Sequence, residues 1–283
     1  MKKLSAIITG LLLPLFSWGS QPEAIERPVL SAYTLEIGSA HIAETYLSPL
    51  RHSGLSLALN YERMQAMRFD PERWVMRLDG RLSLDNTRNN PARNATMLNL
   101  DFRLGWSMLR RFNFGGGWSV FAGGSTSANV GVFYYPRNSN NPAAVKASWT
   151  VNAVAGAAWN LKIKKLPVCL RYLAEMPLTG IFFQPQYGEL YYEIYLGNHK
   201  GLVRGAWPGN FFKLNNLLTA DLRLGRSIIR LGYRCDITSV KASDIATRHI
   251  NHSAVIGVAS EWLSLSADRK MPSKNSRIIS ALY

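Results

Sequence analysis

Apolar and polar side chains alternate with a period of two along most of the chain. Between residues 97 and 109, one parity is apolar: Leu98, Leu100, Phe102, Leu104, Trp106 and Met108. Asp101 and Arg103 occupy the other parity, and the same alternation recurs at 74–84 and 218–224. A period of two is the side-chain repeat of a β-strand, so these segments predict strands with one apolar and one polar face.

Ten such strands are predicted: 31–40, 55–67, 74–84, 97–109, 118–134, 147–161, 166–176, 211–224, 227–238 and 252–263. Most are longer than the strands of soluble proteins and long enough for a tilted strand to span a bilayer. The predicted connections alternate in length. Short turns lie at 69–72, 110–117, 162–165 and 225–226, and long loops at 41–54, 85–96, 135–146, 177–210 and 239–251. This alternation is typical of outer-membrane barrels.

A soluble sandwich or lipocalin-like barrel would turn the apolar face inward, whereas a membrane barrel turns it toward lipid. Aromatic residues favour the membrane barrel, because they collect near the strand ends that meet short turns. Trp149 and Trp159 share one parity ten residues apart, a separation that covers roughly 25 Å of tilted strand. We therefore expect an all-β, transmembrane, antiparallel up-and-down β-barrel of about ten strands. Two extra strands in 177–210 would make twelve.

The N-terminus predicts export to the cell outer membrane of a Gram-negative cell. Lys2 and Lys3 precede a short apolar run, and a cleavage site follows Gly19, which is typical of a signal peptide. The predicted organisation is a signal peptide at 1–20, a periplasmic segment at 21–30, the barrel at 31–265 and a polar, basic tail at 266–283. Both termini are expected in the periplasm.

Two stretches carry a family resemblance: AYTLEIGSAHIAETYLSPL at 32–50 and YERMQAMRFDPERW at 61–74. The chain resembles an outer-membrane β-barrel family of Bacteroidales whose function is uncharacterised. The resemblance implies an outer-membrane location and a barrel, and it implies no catalytic or ligand residue.

The polar parity predicts a charged lumen. The candidate network consists of Glu36, Glu62, Arg77, Asp79, Arg81, Asp101, Arg103, Asp221, Arg223, Arg230 and Arg234. Arginine's planar fork can serve several carboxylates at once, and ten strands enclose little more than the space their own side chains fill. We expect a packed, salt-bridged lumen; a narrow polar conduit is the alternative.

The function expected from this pattern is non-enzymatic. The protein would pass or bind a small ligand, or present loops to a partner in the cell envelope. An aromatic loop is the candidate binding element, with Phe182, Phe183, Tyr187, Tyr191 and Tyr192. The alternative is an outer-leaflet lipid or lipopolysaccharide hydrolase that uses the pairs His52–Ser53 or His252–Ser253. No GxSxG or HExxH motif accompanies these pairs, so no metal and no cofactor is expected.

The charge balance predicts the partners. The chain has 33 Lys+Arg against 18 Asp+Glu, a formal net charge of +15. Because many of these bases fall in loops, we expect contacts with outer-membrane lipid and lipopolysaccharide phosphates. The barrel-assembly machinery is expected during insertion, nucleic acid is not, and the oligomeric state is left open.

Overall fold

The computed structural model describes residues 25–225, 227–263 and 277–283. Within these residues, ten long strands form a closed antiparallel barrel, in which consecutive strands pair and the last pairs with the first. Strands β1 to β10 are Val29–Glu44, Arg51–Ala66, Trp74–Asn89, Thr96–Gly115, Trp118–Tyr134, Ala143–Ile163, Leu166–Phe183, Phe211–Leu224, Ser227–Ala242 and Ile245–Trp262. The predicted ten-stranded up-and-down barrel is confirmed. The predicted signal peptide lies outside the described residues.

The alternative of twelve strands is wrong. The connection between β7 and β8 contains one short strand, Val203–Ala206, and one helix, α1 (Tyr191–Tyr195). The short strand pairs only with the end of β7 at Gly180–Phe183. Four residues of strand span only about 13 Å, so this element cannot cross the barrel wall. No helix within the described ranges is long and apolar enough to cross a membrane.

We call the end of the barrel at which β1 begins the turn end, and the opposite end the loop end. Most strands extend further than the alternation predicts at the loop end. The predicted long loop at 239–251 is wrong, because β9 and β10 stay paired up to Ala242 and Ile245. Ser243 and Asp244 close a two-residue turn with φ of 51° and 62°, the left-handed conformation that suits the twist of a hairpin.

The two faces of the barrel wall differ in polarity. Along β2, Leu57 and Leu59 point outward and are exposed, whereas Asn60 and Glu62 point inward and are buried. Leu35 and Leu82 flank Leu59 in the register, so leucines form a continuous outward patch there. At the turn end, the Trp118 and Trp159 rings stack at 4.9 Å. The fold thus places an apolar belt outside and a polar lumen inside.

One part of the wall is incompletely paired. β7 and β8 pair only between Val168–Glu175 and Asn215–Leu222. Beyond Glu175, β7 pairs with the short strand Val203–Ala206, while the first four residues of β8 pair with β9 alone. Pro177 lies at this point and has no N–H to donate to a neighbouring strand. The wall beside the loop-end lumen is therefore weakest at this seam.

Candidate functional site in the lumen

The chain's own C-terminal segment fills the lumen at the turn end. Nη1 of Arg111 donates to the carbonyl oxygen of Ser280 at 2.7 Å, and Nδ2 of Asn160 donates to that of Leu282 at 2.7 Å. The Tyr283 hydroxyl donates to Asp221 at 3.0 Å. Ala281 and Leu282 pack into the apolar cluster that lines this end. Residues 277–283 of the predicted tail thus close the barrel; residues 264–276 lie outside the described ranges.

Sequence reasoning missed this closure. The sequence offered one signal for a buried C-terminus, a final run that is apolar apart from its serine: Ile278, Ile279, Ser280, Ala281, Leu282 and Tyr283. Nothing local in so short a run indicates that it folds back into a barrel, because most of its partners lie on distant strands, between 62 and 170 residues away.

A network of ion pairs crosses the lumen above this segment. Glu62 accepts from three arginines on three different strands: Arg77 at 2.7 Å, Arg171 at 2.6 Å and Arg230 at 2.6 Å. All four side chains are buried. Because β2, β3, β7 and β9 lie around the barrel, these bonds tie its walls together across the interior.

The network continues on both sides of Glu62. Arg230 forms a two-pronged pair with Asp221, and Arg103 joins Asp79 to Glu175. Nearer the loop end, a second group forms around Glu36, which accepts from Arg81 and Arg234, both at 2.8 Å. Asp236 lies 3.9 Å from each of these arginines. Every arginine in these groups thus faces at least one carboxylate.

All eleven residues of the predicted network lie on the lumen side. Two of them differ from the expected packed arrangement. Arg223 pairs with Glu261 near the turn end and stacks over the Tyr283 ring. Asp101 accepts a hydrogen bond from Asn129, and it makes no ion pair with a described residue.

The lumen contains further charges that the sequence reasoning placed elsewhere or omitted: Glu44, Asp85, Lys146 and Lys213. Glu44, Asp85 and Lys146 lie just beyond the predicted strand ends, so the longer strands bring them inside. Lys146, the last residue of the long loop predicted at 135–146, pairs with Glu44 at 3.0 Å. Lys213 lies on the same parity as Asp221, and extending the alternation along β8 would have found it.

Above the network lies a cavity of about 110 Å³. Charged side chains line it, among them Lys213, Asp101, Arg81 and Asp236, and so do the rings of Phe133, Phe182, Phe183 and Phe211. The two kinds are interspersed, since the Lys213 ammonium group lies 5.2 Å from the centre of the Phe211 ring. A lining that mixes apolar side chains with a few polar groups is typical of small-molecule sites.

Several loops cover the cavity at the loop end. The Tyr46 hydroxyl donates to the carbonyl oxygen of Glu189 at 2.6 Å, and Tyr191 packs edge-on against the Tyr46 ring. The Tyr191 hydroxyl accepts from the backbone N–H of Val145 at 2.6 Å. Burial raises the pKa of Tyr191 to about 12 and also raises that of Tyr46. Both hydroxyls therefore stay protonated at physiological pH, and this cover does not depend on pH through them.

The structure divides the predicted aromatic binding loop between inside and outside. Phe182 is buried against Phe211, with ring centroids 5.0 Å apart, and Phe183 also lines the cavity. Tyr191 belongs to the cover. Tyr187 and Tyr192 are exposed to the outside. The single binding loop predicted from sequence therefore combines residues that line the cavity or its cover with residues on the outer surface.

The histidine–serine pairs of the hydrolase alternative do not come together. In each pair the two residues are consecutive on a strand, so their side chains point to opposite faces of the wall. His52 points into the lumen and packs against Tyr135, while Ser53 bonds Asn90 at the surface. His252 bonds the Tyr233 hydroxyl on the outer face, and Ser253 donates inward to Asn251. In neither pair, therefore, does the histidine lie beside its serine as a base.

No group of three or more metal-ligating side chains occurs among residues 25–225, 227–263 and 277–283. Cys169 and Cys235 are both free thiols.

Comparison with known proteins identifies the family. A family model described as "Protein of unknown function (DUF3316)" matches residues 5–269. The chain belongs to this DUF3316 family. No curated protein matches it. The match confirms that the family has no known function, as the resemblance implied, while an origin in Bacteroidales stays a prediction.

The comparison with solved structures gives matches whose TM-scores are all below 0.5. The translocator domain of autotransporter NalP from Neisseria meningitidis has 12% identity and a TM-score of 0.41, covering 86% of this chain and 90% of that chain. The transport unit of autotransporter AIDA-I from Escherichia coli has 8% identity and a TM-score of 0.35, covering 90% and 94%. A TodX monoaromatic hydrocarbon channel mutant has 7% identity and a TM-score of 0.18, covering 86% and 91%.

Proposed function

We propose that this DUF3316 protein is a non-enzymatic barrel of a Gram-negative outer membrane that binds a small ligand in the loop-end half of its lumen. In this proposal it is a closed binding barrel and not an open pore. The turn end faces the periplasm and the loop end faces the outside, after export by the signal peptide at 1–20.

The outward belt supports the membrane location. Leucine, valine and phenylalanine side chains on the outer wall are exposed over most strands, among them Leu59 at 60%, Val258 at 59% and Phe102 at 48%. A water-soluble monomer rarely exposes apolar patches beyond a few hundred Å². Lipid is the environment in which such a belt is stable, and strand pairing runs all the way around the barrel, with the β7–β8 seam left open only toward the loop end.

The observation that carries the binding role is the asymmetric filling of the lumen. Glu62 and its three arginines cross the barrel, and the segment ending at Tyr283 closes the turn end behind them. The cavity lies on the other side of this barrier. Breaking such buried ion pairs costs several kcal/mol, which disfavours the conduit as a resting state.

The outer surface supports contacts with lipopolysaccharide. Arg51, Arg88, Arg93, Arg137 and Arg248 are exposed around the loop end. Guanidinium groups at that level suit the phosphates of outer-leaflet headgroups. The exposed tyrosines of the 184–210 connection would offer an additional surface to an envelope partner.

Reconstitution tests this proposal. The full-length protein, expressed in a Gram-negative host, should fractionate with the outer membrane and show heat-modifiable gel mobility. In planar bilayers it should produce no steady open conductance, because the Glu62 barrier spans the lumen. A soluble periplasmic pool would contradict the location, and a stable ohmic conductance would favour the conduit.

A second experiment tests which residues close the lumen. A protein lacking residues 277–283 should stay closed, since the ion pairs remain. The same deletion combined with Glu62→Ala, Arg171→Ala and Arg230→Ala should produce conductance, provided that heat-modifiable mobility shows a folded barrel. Conductance after the deletion alone would place the barrier at the C-terminal segment.

A further inference from the structure

Two opposite charges in the cavity are held apart by one amide. Asn129 accepts from Nζ of Lys213 at 2.6 Å through its Oδ1, and it donates to Oδ2 of Asp101 at 2.6 Å through its Nδ2. Neither Lys213 nor Asp101 forms an ion pair with a described residue. Opposite charges inside proteins normally pair directly, so this separation is unusual.

The remaining charges of the cavity balance without them. Each of the other cations that line it has a carboxylate partner: Arg81 and Arg234 share Glu36 and flank Asp236, Arg103 joins Asp79 to Glu175, and Lys146 pairs with Glu44. Lys213 and Asp101 are therefore left as one positive and one negative group, both facing the cavity. The cavity as a whole therefore has no excess charge that would favour a ligand with a net negative or a net positive charge.

Further polar atoms of the cavity lining lack partners. Nε2 of Gln184 has no hydrogen-bond acceptor and Oδ1 of Asn152 has no donor among the described residues. Both residues line the cavity, with 1% and 2% of their surfaces exposed. Burying such groups without partners costs free energy. Both atoms lie beneath the cavity surface, so they add to the polarity of the lining without contacting a ligand directly.

The cavity size limits that ligand. A buried cavity of about 150 Å³ accommodates benzene, so 110 Å³ limits the ligand to a molecule no larger than benzene, with about six non-hydrogen atoms at most. A carboxylate and an ammonium group on one carbon account for most of that number of non-hydrogen atoms. Phe182 and Phe211 would then contact a short apolar side chain.

From this arrangement we infer that the cavity binds a small zwitterion of the α-amino acid class. Its carboxylate lies at Lys213 and its ammonium group at Asp101. This inference rests on the proposed binding role of the lumen and names the ligand class for it.

Equilibrium dialysis of the folded full-length protein with three radiolabelled probes tests the inference. The probes are alanine, propionate (the carboxylate alone) and ethylamine (the ammonium group alone). Alanine should bind saturably and at least about tenfold more tightly than either other probe, because each charged contact contributes about that factor.

Two variants give a reciprocal pattern that a general loss of structure would not produce. Lys213→Met should reduce alanine binding to that of ethylamine, whereas Asp101→Asn should reduce it to that of propionate. Lys241→Met, which removes an exposed lysine from the neighbouring strand β9, should change neither.

Equal binding of alanine and propionate by the unmodified protein would overturn the zwitterion while leaving a lumen ligand in place. Equal alanine binding by the unmodified protein and Lys213→Met would overturn it as well. Absence of binding for all three probes would also overturn it, indicating a cavity that holds only water. The proposed closed barrel would then be judged separately by its conductance.

Discussion

Arg111 donates a hydrogen bond of 2.7 Å to the carbonyl oxygen of Ser280, a residue 169 positions further along the chain. The same guanidinium group also donates to the carbonyl oxygens of Pro71 and Glu72 in the turn between β2 and β3. Arg111 thereby links the C-terminal segment to the turn end of the barrel wall. It does so through peptide carbonyls, so removing it leaves several acceptors without a donor.

The first prediction concerns this link. Carboxypeptidase should digest the folded protein slowly, because Ala281 and Leu282 are buried in the barrel. Arg111→Ala should make the C-terminus digestible, as measured by mass spectrometry of the intact chain. Arg110→Ala is the control, since Arg110 is exposed on the opposite face. Rapid trimming of the unmodified protein would show that its C-terminal segment is not held in the lumen.

Two glutamates in ion pairs should respond very differently to neutralisation. Glu62→Gln leaves three buried arginines with a neutral acceptor and should lower the free energy of unfolding by about 3–5 kcal/mol. Glu72→Gln removes an exposed pair with Arg277 and should cost less than about 1 kcal/mol. Urea unfolding in lipid vesicles measures both. Equal values would mean that water reaches Glu62.

Gly105 leaves space for the ion-pair network. A Cβ atom at this position would lie 2.7 Å from Oδ1 of Asp79. Gly105→Ala should therefore displace that carboxylate and cost about 1–3 kcal/mol. Gly80→Ala is the matched control, because its Cβ would meet only a Leu104 methyl group at 3.9 Å. Thermal shifts of heat-modifiable mobility compare the two variants; a neutral Gly105→Ala would indicate that the Asp79 carboxylate can move freely.

Depth in the membrane gives the fourth prediction. Leu59 lies in the middle of β2 and points outward, whereas Phe69 lies in the following turn and is exposed. Leu59→Arg should destabilise the barrel in vesicles by about 2–4 kcal/mol, and Phe69→Arg by about 0–1 kcal/mol. In a water-soluble protein both substitutions would be neutral, so similar unfolding energies would argue against the membrane location.

Much of the lumen could be predicted from sequence because strand faces are a local property. The period-two alternation assigns inward and outward parity without knowledge of any partner, and Glu36, Glu62 and Arg81 are all inward as expected. Strand ends were harder, because polar residues that face a lumen resemble loop residues. Lys146 was assigned to an outer loop for this reason, although β6 begins at Ala143 and carries it inward.

The sequence by itself determined the β-strand character of the chain, the two faces of its strands and the charged character of the interior, since each depends on residues within one strand. The tertiary structure decided between ten and twelve strands, because only strand pairing shows that Val203–Ala206 does not cross the wall. Only the tertiary structure decided which charges meet. Glu62 and Arg171 are 109 residues apart, and Asn129 reaches both Asp101 and Lys213. Barrel closure and strand register bring such residues within hydrogen-bonding distance, and register depends on all the strands together. The closure of the turn end by Tyr283 and its neighbours likewise requires a finished barrel for the segment to enter.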